Sequence, residues 1–226
     1  MTNEIVFDSS SLISLIGACA GNLIPLLSKA LNARFWISKS IESESVTRPM
    51  QIRRFELNAL RINELIEQGY LEIHPESNEL KRETERLLGL ANSIYEFDHN
   101  KISIIHLGEA ETLAITNLTE ADVFCIDERT TRMLVEEPLA LRDFISFKYK
   151  SKITVDEKRL KEFQDSLEET KIIRSSELAA MAFEKGFITD AKFLEGILFA
   201  LKYGGCSISE QEILDYIKDA SGKKGK

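Results

Sequence analysis

Apolar residues recur along this chain in two rhythms. Short dense runs appear as "EIVF" (Glu4–Phe7), "RFWI" (Arg34–Ile37), "YLEI" (Tyr70–Ile73), "DVFCI" (Asp122–Ile126) and "KIIR" (Lys171–Arg174). Runs this short, rich in β-branched and aromatic residues and bounded by polar ones, predict strands. Between them apolar residues return every three or four positions, which predicts helices. Asn22–Asn32 places Leu23, Leu26, Leu27 and Ala30 on one face, with Asn22 as the cap and Pro25 in the tolerated first turn. Further helices are predicted from Ser38 to about Val46, from Gln51 to Gln68 with Gly69 as a stop, over Asn78–Phe97, over Gly108–Leu118, and over "ERTTRML" after Asp127.

Past Lys171 the rhythm is helical throughout. "SSELAAMAFEKG" has a Ser cap and a Gly stop, and "TDAKFLEGILFALKYGG" aligns Phe193, Leu194, Ile197, Leu198 and Leu201. "SEQEILDYIKDA" opens on Ser209 and Glu212, a capping box. Strands alternating with helices predict an α/β fold with a mainly parallel central sheet and extra C-terminal helices. The boundaries expected are 1–174 for the α/β domain, 175–220 for a helical extension packed on it, and 221–226 for a disordered tail. The charged stretch 139–169, which contains "FKYKSK", is expected as an insertion of helical pieces and a mobile connection.

Composition narrows the classes. Apolar residues make up 43% of the 226, enough for a sizeable core, and charged residues 29%. No apolar run approaches the roughly 20 residues of a membrane span, and the N-terminus reaches an acid before any long apolar region, which argues against a secretory signal. Cys19, Cys125 and Cys206 are odd in number and scattered, which fits a reducing cytoplasm better than a disulfide framework or zinc knuckle. The net charge of −8 disfavours nucleic acid as a partner unless bases cluster locally or a cation offsets an acidic centre.

Such a centre is written into the strand ends. Ligands of parallel sheets collect beyond the carboxyl ends of the strands, and Asp8 and Asp127 both stand there, each before a helix. Asp8 is followed by Ser9, Ser10 and Ser11. An Asp at that point serves equally as a helix cap or as an oxygen ligand for a hard divalent cation, with Ser10 adding a hydroxyl. "GEAET" sets Glu109 and Glu111 at the start of a helix whose continuation is nearly uncharged, so its first turn faces the interior or a cleft. "SIESESV" offers Glu42 and Glu44. Two carboxylates about 4 Å apart repel by roughly 4 kcal/mol at an effective dielectric near 20. If Asp8, Glu44, Glu111 and Asp127 share one cavity, a cation is the natural counter-charge.

In order along most of the chain, "IVFDSSSLISL", "ISKSIESES", "LGEAETLAI" and "VFCIDERTTR" together resemble a PIN-domain nuclease of the prokaryotic branch that carries a GEAE segment. The resemblance implies a three-layer α/β/α fold and Mg²⁺- or Mn²⁺-dependent hydrolysis of RNA phosphodiesters. By position it implies Asp8, Glu44, Glu111 and Asp127 as the catalytic and metal-binding acids, with Ser10, Glu42, Glu109 and Glu128 as secondary candidates. It further implies a toxin's place in a toxin–antitoxin pair, with an antitoxin protein and a second copy of the chain as partners, although the sequence contains no antitoxin segment. Arg129 and Arg132, at helical spacing after Asp127, and Arg53 and Arg54, beyond Glu44, are placed to meet phosphates; Arg48 belongs to the same group. The competing reading is a PIN-like binding or assembly module that no longer cleaves. A phosphoryl-transfer enzyme with Asp8 as nucleophile fits less well, since no second Asp stands two residues on.

Overall fold

The structure, a computed structural model, describes residues 3–121, 123–167 and 170–223. Its first half runs β1 (Asn3–Phe7), α1 (Ser9–Gly17), α2 (Leu23–Leu31), β2 (Ala33–Ile37), α3 (Lys39–Glu42), α4 (Glu56–Glu67), β3 (Glu72–Ile73), α5 (Asn78–Ala91), β4 (Tyr95–Phe97) and β5 (Asn100–Lys101). It continues with α6 (Leu107–Thr119), β6 (Val123–Cys125), α7 (Arg129–Glu136), α8 (Pro138–Tyr149), β7 (Thr154–Val155), α9 (Glu157–Asp165), β8 (Lys171–Ile173), α10 (Ser175–Glu184), α11 (Ala191–Gly204) and α12 (Glu210–Lys223).

The central sheet has the order β3-β2-β1-β6-β8 with every neighbour pair parallel. Its three central strands, β1, β2 and β6, carry the buried residues, as parallel strands covered by helices do. Ile5, Phe7, Phe35 and Ile37 point into one core, closed by α1, α2, α4 and α10–α12. Val6, Trp36, Phe124 and Ile126 point into the other, closed by α5–α9. The result is a three-layer α/β/α fold with the C-terminal helices completing one layer. No helix among the described residues is long and apolar enough to cross a membrane.

Several local expectations need correction. The helix expected over Asn78–Phe97 stops at Ala91, and Tyr95–Phe97 instead forms a second, antiparallel sheet of order β5-β4-β7. Strands of two or three residues are too short to carry a period. The helix expected from Gln51 starts at Glu56, after a 3₁₀ turn at Pro49–Gln51. Asn22 makes no side-chain cap. The stretch 139–167 contains helical pieces as expected, α8 and α9, with the short strand β7 between them; Glu168 and Glu169 lie outside the described residues, as does Asp122 of the expected strand. Helix α12 continues through Lys223 into the expected tail, and 224–226 lie outside the described residues.

The C-terminal helices are fastened by one buried cation. Arg174, at the end of β8, reaches Glu177 on α10 (2.5 Å), Glu212 on α12 (2.9 Å) and the Ser207 carbonyl (2.9 Å). Tyr216 on α12 donates its hydroxyl to Glu177 at 3.0 Å. Burial works to raise the Glu212 carboxyl, but the Ser209 N–H and hydroxyl and the Arg174 guanidinium outweigh it and hold the group down at about 2. A folded-state value below the ordinary carboxylate of about 4.3 means that the unfolded chain binds more protons in the window between them. The contribution of Glu212 is therefore complete above about pH 4.3 and is lost as pH falls through about 2. Glu212→Gln flattens the acid limb of the stability profile across that window in denaturant melts; a variant whose acid limb matches the wild type refutes the assignment.

Candidate active site

In the strand order the chain steps from β1 to β2 and β3 on one side, then returns to place β6 on the other. The crevice at such a reversal, beyond the carboxyl ends, is the usual ligand position in open α/β sheets. Asp8 ends β1 there and Asp127 follows β6. The Asp8 N–H extends the ladder by donating to the Cys125 carbonyl at 2.9 Å, which locks the two strand ends side by side.

The serines after Asp8 divide the work of holding this corner. Ser9 donates its hydroxyl to Glu44 Oε2 at 3.3 Å. Ser10 donates its N–H to Asp8 Oδ2 at 2.9 Å, and its Oγ accepts the Asp127 N–H at 3.1 Å. Ser11 bonds the Asp8 and Cys125 carbonyls at 2.9 and 3.0 Å. Asp8 is thus the N-cap of α1, yet it is only 4% exposed. Burial raises its carboxyl, the Ser10 and Ser9 bonds pull it part of the way back, and the nearby Glu44 carboxylate pushes it up again.

Glu44 reaches this corner through an irregular helix. After α3 the chain makes a π-helical turn at Ser43–Thr47, in which the Arg48 N–H bonds the Ser43 carbonyl at 3.0 Å. The wider turn re-aims Glu44 toward Ser9 and α6; such turns often mark functional positions. Glu42 instead pairs with Lys39 at 2.7 Å and accepts from Thr47 at 2.7 Å. Of these two candidates, Glu44 is the one that faces Asp8.

On α6 the two acids part company, because residues two apart on a helix point to opposite sides. Glu109 faces the corner. Burial raises its carboxyl, the His106 N–H opposes this, and the Asp8 charge adds to it, as does Glu128 to a smaller degree. Glu109 also accepts from the Thr131 hydroxyl at 3.0 Å. Glu111 turns the other way and accepts the Ser40 N–H at the start of α3, at 3.1 Å. It lines a cavity of about 630 Å³ between α3 and α6 together with Glu44, Lys39, Arg48 and His106.

Asp127 lies beside the Asp8 corner, its N–H on the Ser10 hydroxyl, but its carboxylate is engaged by α10. It is fully buried, and its two oxygens accept the Ser175 N–H (2.8 Å) and Ser175 hydroxyl (2.6 Å). It therefore caps α10 from outside, while Glu128 caps α7 by accepting from Thr131 N at 2.7 Å. The structure brings Asp8 together with Glu44 and Glu109 in an arc that Glu111 continues into the cavity, while Ser175 holds the Asp127 carboxylate. The arc has no internal counter-charge: Asp8, Glu44, Glu109, Glu111 and Asp127 form no ion pair among the described residues. Among the described residues no group of three or more His, Cys, Asp or Glu side chains is already positioned to hold a metal ion.

The expected phosphate contacts also resolve differently. Arg53 pairs with Glu56 and is 95% exposed, Arg54 lies over Phe55, Arg132 approaches Glu136 at 3.7 Å with its Nε buried and unbonded, and Arg129 lies over Phe144. Arg48 and Lys39 are the basic residues on the cavity wall beside Glu44. Sequence reasoning missed Ser9, Thr131 and Gly108, and only Gly108, in "GEAE", carried a signal. A Cβ there would lie 3.1 Å from Glu44 Oε1 and 3.5 Å from its Cδ, so the bare glycine lets the carboxylate rest against α6. Gly108→Ala should leave the melting temperature unchanged or raised, since Ala gains up to about 1 kcal/mol of helix propensity. Any function of the arc should fall roughly tenfold from the displaced carboxylate; a fall in stability with function intact would show that the glycine serves packing alone.

No family model, no curated protein and no solved structure matches the chain.

Proposed function

We propose that the chain is a metal-dependent nuclease that hydrolyses RNA phosphodiester bonds, with the arc of Asp8, Glu44 and Glu109 as its centre. The observation that carries the reading is a concentration of carboxylates, without a basic partner among the described residues, at the crevice where the strand order reverses. Burial and mutual repulsion raise the carboxyls of Asp8 and Glu109, so each gains from a cation. An all-oxygen donor set suits Mg²⁺ or Mn²⁺ rather than softer metals. Asp8, Glu44 and Glu109 are the residues that would hold the ion, with Glu111 at the rim. When bound, a divalent ion supplies Lewis acidity toward a phosphoryl oxygen and acidifies its water. The chain's own part is orientation. Ser10 fixes Asp8, Ser9 and Gly108 fix Glu44, and Thr131 fixes Glu109, while Arg48 on the cavity wall offers positive charge to a phosphate. The likeness to PIN-domain nucleases in the ordered motifs supports the same chemistry, and a toxin's role belongs to the proposal only through that likeness.

One arrangement favours a second reading, a PIN-like module that binds without cleaving. Both oxygens of Asp127 are taken up by Ser175, and Glu111 is engaged with Ser40, which leaves the arc short of two acids. The experiment that separates the readings is thermal melting of the full chain in a Mn²⁺ titration, paired with cleavage of single-stranded RNA. A nuclease is stabilised by Mn²⁺ and cleaves until a chelator is added. Absence of both effects leaves the binding module as the surviving reading.

A further inference from the structure

The stretch "FKYKSK", Phe147–Lys152, has no part in the arc or the cores. The fold sets it at the end of α8 and the approach to β7. Phe147 is 85% exposed, the most exposed large apolar side chain among the described residues, and Tyr149 is 46% exposed. Lys148, Lys150 and Lys152 are exposed and form no ion pair among the described residues. From Arg142 to Lys161 basic side chains outnumber acids by four, in a chain whose net charge is −8.

The rings divide between two sides of α8, since Phe147 and Tyr149 stand two residues apart. Leu141 and Ile145 turn α8's apolar side into the core. Phe144, Phe147 and Lys148 stand three and four residues apart and therefore share a neighbouring face. Arg129 places its guanidinium 5.0 Å from the Phe144 ring centre, and Tyr149 packs its ring 5.7 Å from that of Phe97. We propose that the face formed by Arg129, Phe144, Phe147 and Lys148, with the exposed Lys150 and Lys152 just beyond the helix end, is a docking site for single-stranded nucleic acid. Such a strand offers a flat base and a phosphate in every unit, and an alternation of exposed rings and free ammonium groups is complementary to both. An acidic chain has to localise its positive charge to attract a polyanion, and here it does. Glu128, next to Arg129, and Glu109 both accept from Thr131, so the surface starts beside the carboxylate arc.

The inference concerns binding, goes beyond hydrolysis, and holds whether or not the arc cleaves. The test is fluorescence anisotropy of the full chain with short labelled oligouridylate and oligodeoxythymidylate, in EDTA so that no cleavage intervenes, across a KCl series. Wild type should bind saturably and more weakly as salt rises. Phe147→Ala, whose side chain supports no packing, should weaken binding about tenfold, within the range for removing one base-stacking ring. Lys148→Gln with Lys152→Gln should reduce the log–log salt slope by about 0.7 for each phosphate that is no longer neutralised. Far-UV circular dichroism should be unchanged in all variants.

The proposal is overturned if wild type binds neither oligonucleotide, or if the variants keep wild-type affinity and slope. It is equally overturned if the surface binds phosphatidylserine vesicles in place of oligonucleotides, or if Phe147→Ala only dissolves a dimer seen by light scattering. RNA cleavage in Mn²⁺ without oligonucleotide binding at this surface removes the docking site and leaves the nuclease reading standing; the reverse result does the opposite.

Discussion

If the chain is the metal-dependent nuclease proposed, Asp8→Asn should abolish the Mn²⁺ stabilisation and lower RNA cleavage by roughly 10²–10³-fold, the scale of losing one well-placed electrostatic stabiliser, while raising the melting temperature of the metal-free protein. The two effects have opposite signs for one reason. Asp8 is 4% exposed and its carboxyl is raised, first by burial and then, against the pull of Ser10 and Ser9, by Glu44. A raised carboxyl favours the proton more in the folded chain than in the unfolded one, so at neutral pH its charge opposes folding. Asn removes that charge and keeps the cap, because Asn and Asp are nearly equal at the N-cap. The Ser10 N–H therefore retains an acceptor. Glu109→Gln should repeat the pattern with a smaller gain, since Glu109 is less deeply buried than Asp8. Asp127→Asn should differ in kind, because both its oxygens anchor α10. It should lower stability without selectively removing the Mn²⁺ effect. Retained cleavage in Asp8→Asn, checked by single-turnover assay on purified protein, would remove Asp8 from the centre.

Arg174→Ala should destabilise the fold by about 3 kcal/mol. That is the lower end of the 3–5 kcal/mol range for removing one member of a buried ion pair, chosen because Glu212 is 42% exposed and partly solvated. For a chain of 226 residues this corresponds to a fall of roughly 6–12 °C in melting temperature. The loss arises because Glu177 is left facing Tyr216 without its cation, and because the Ser207 carbonyl loses its donor. Since Arg174 stands between β8 and the helix that Asp127 caps, the loosened unit includes α10 as well as α12. Denaturant melts read the change directly. A variant within 1 °C of wild type would show that the C-terminal helices are held by their apolar faces alone.

How much of this was legible beforehand depends on the length of the signal. β1, β2, β6 and β8 were readable because each is a dense apolar run next to a strong breaker, and the box formed by Ser209 and Glu212 was readable because its spacing is local. It is found as written, with Ser209 N to Glu212 Oε2 at 2.8 Å and Glu212 N to Ser209 Oγ at 3.2 Å. The antiparallel sheet was not readable, because pairings such as Tyr95 with Val155 join segments far apart in sequence, each too short to show a period. The resemblance put Glu44 ahead of Glu42, but spacing alone does not separate them, because a π-helical turn at Ser43–Thr47 sets where each side chain points.

The sequence by itself determined which residue types stand at the strand ends, where the apolar rhythm changes, and that a chain of net charge −8 must localise whatever basic surface it has. Those are properties of neighbours along the backbone, set by sterics and by the period of each element. Only the tertiary structure decided which carboxylates meet. A side chain's partner across the sheet depends on register, on the sense of a turn and on which oxygen finds a donor first. Ser175 met Asp127 and Ser40 met Glu111, and the arc was left to Asp8, Glu44 and Glu109.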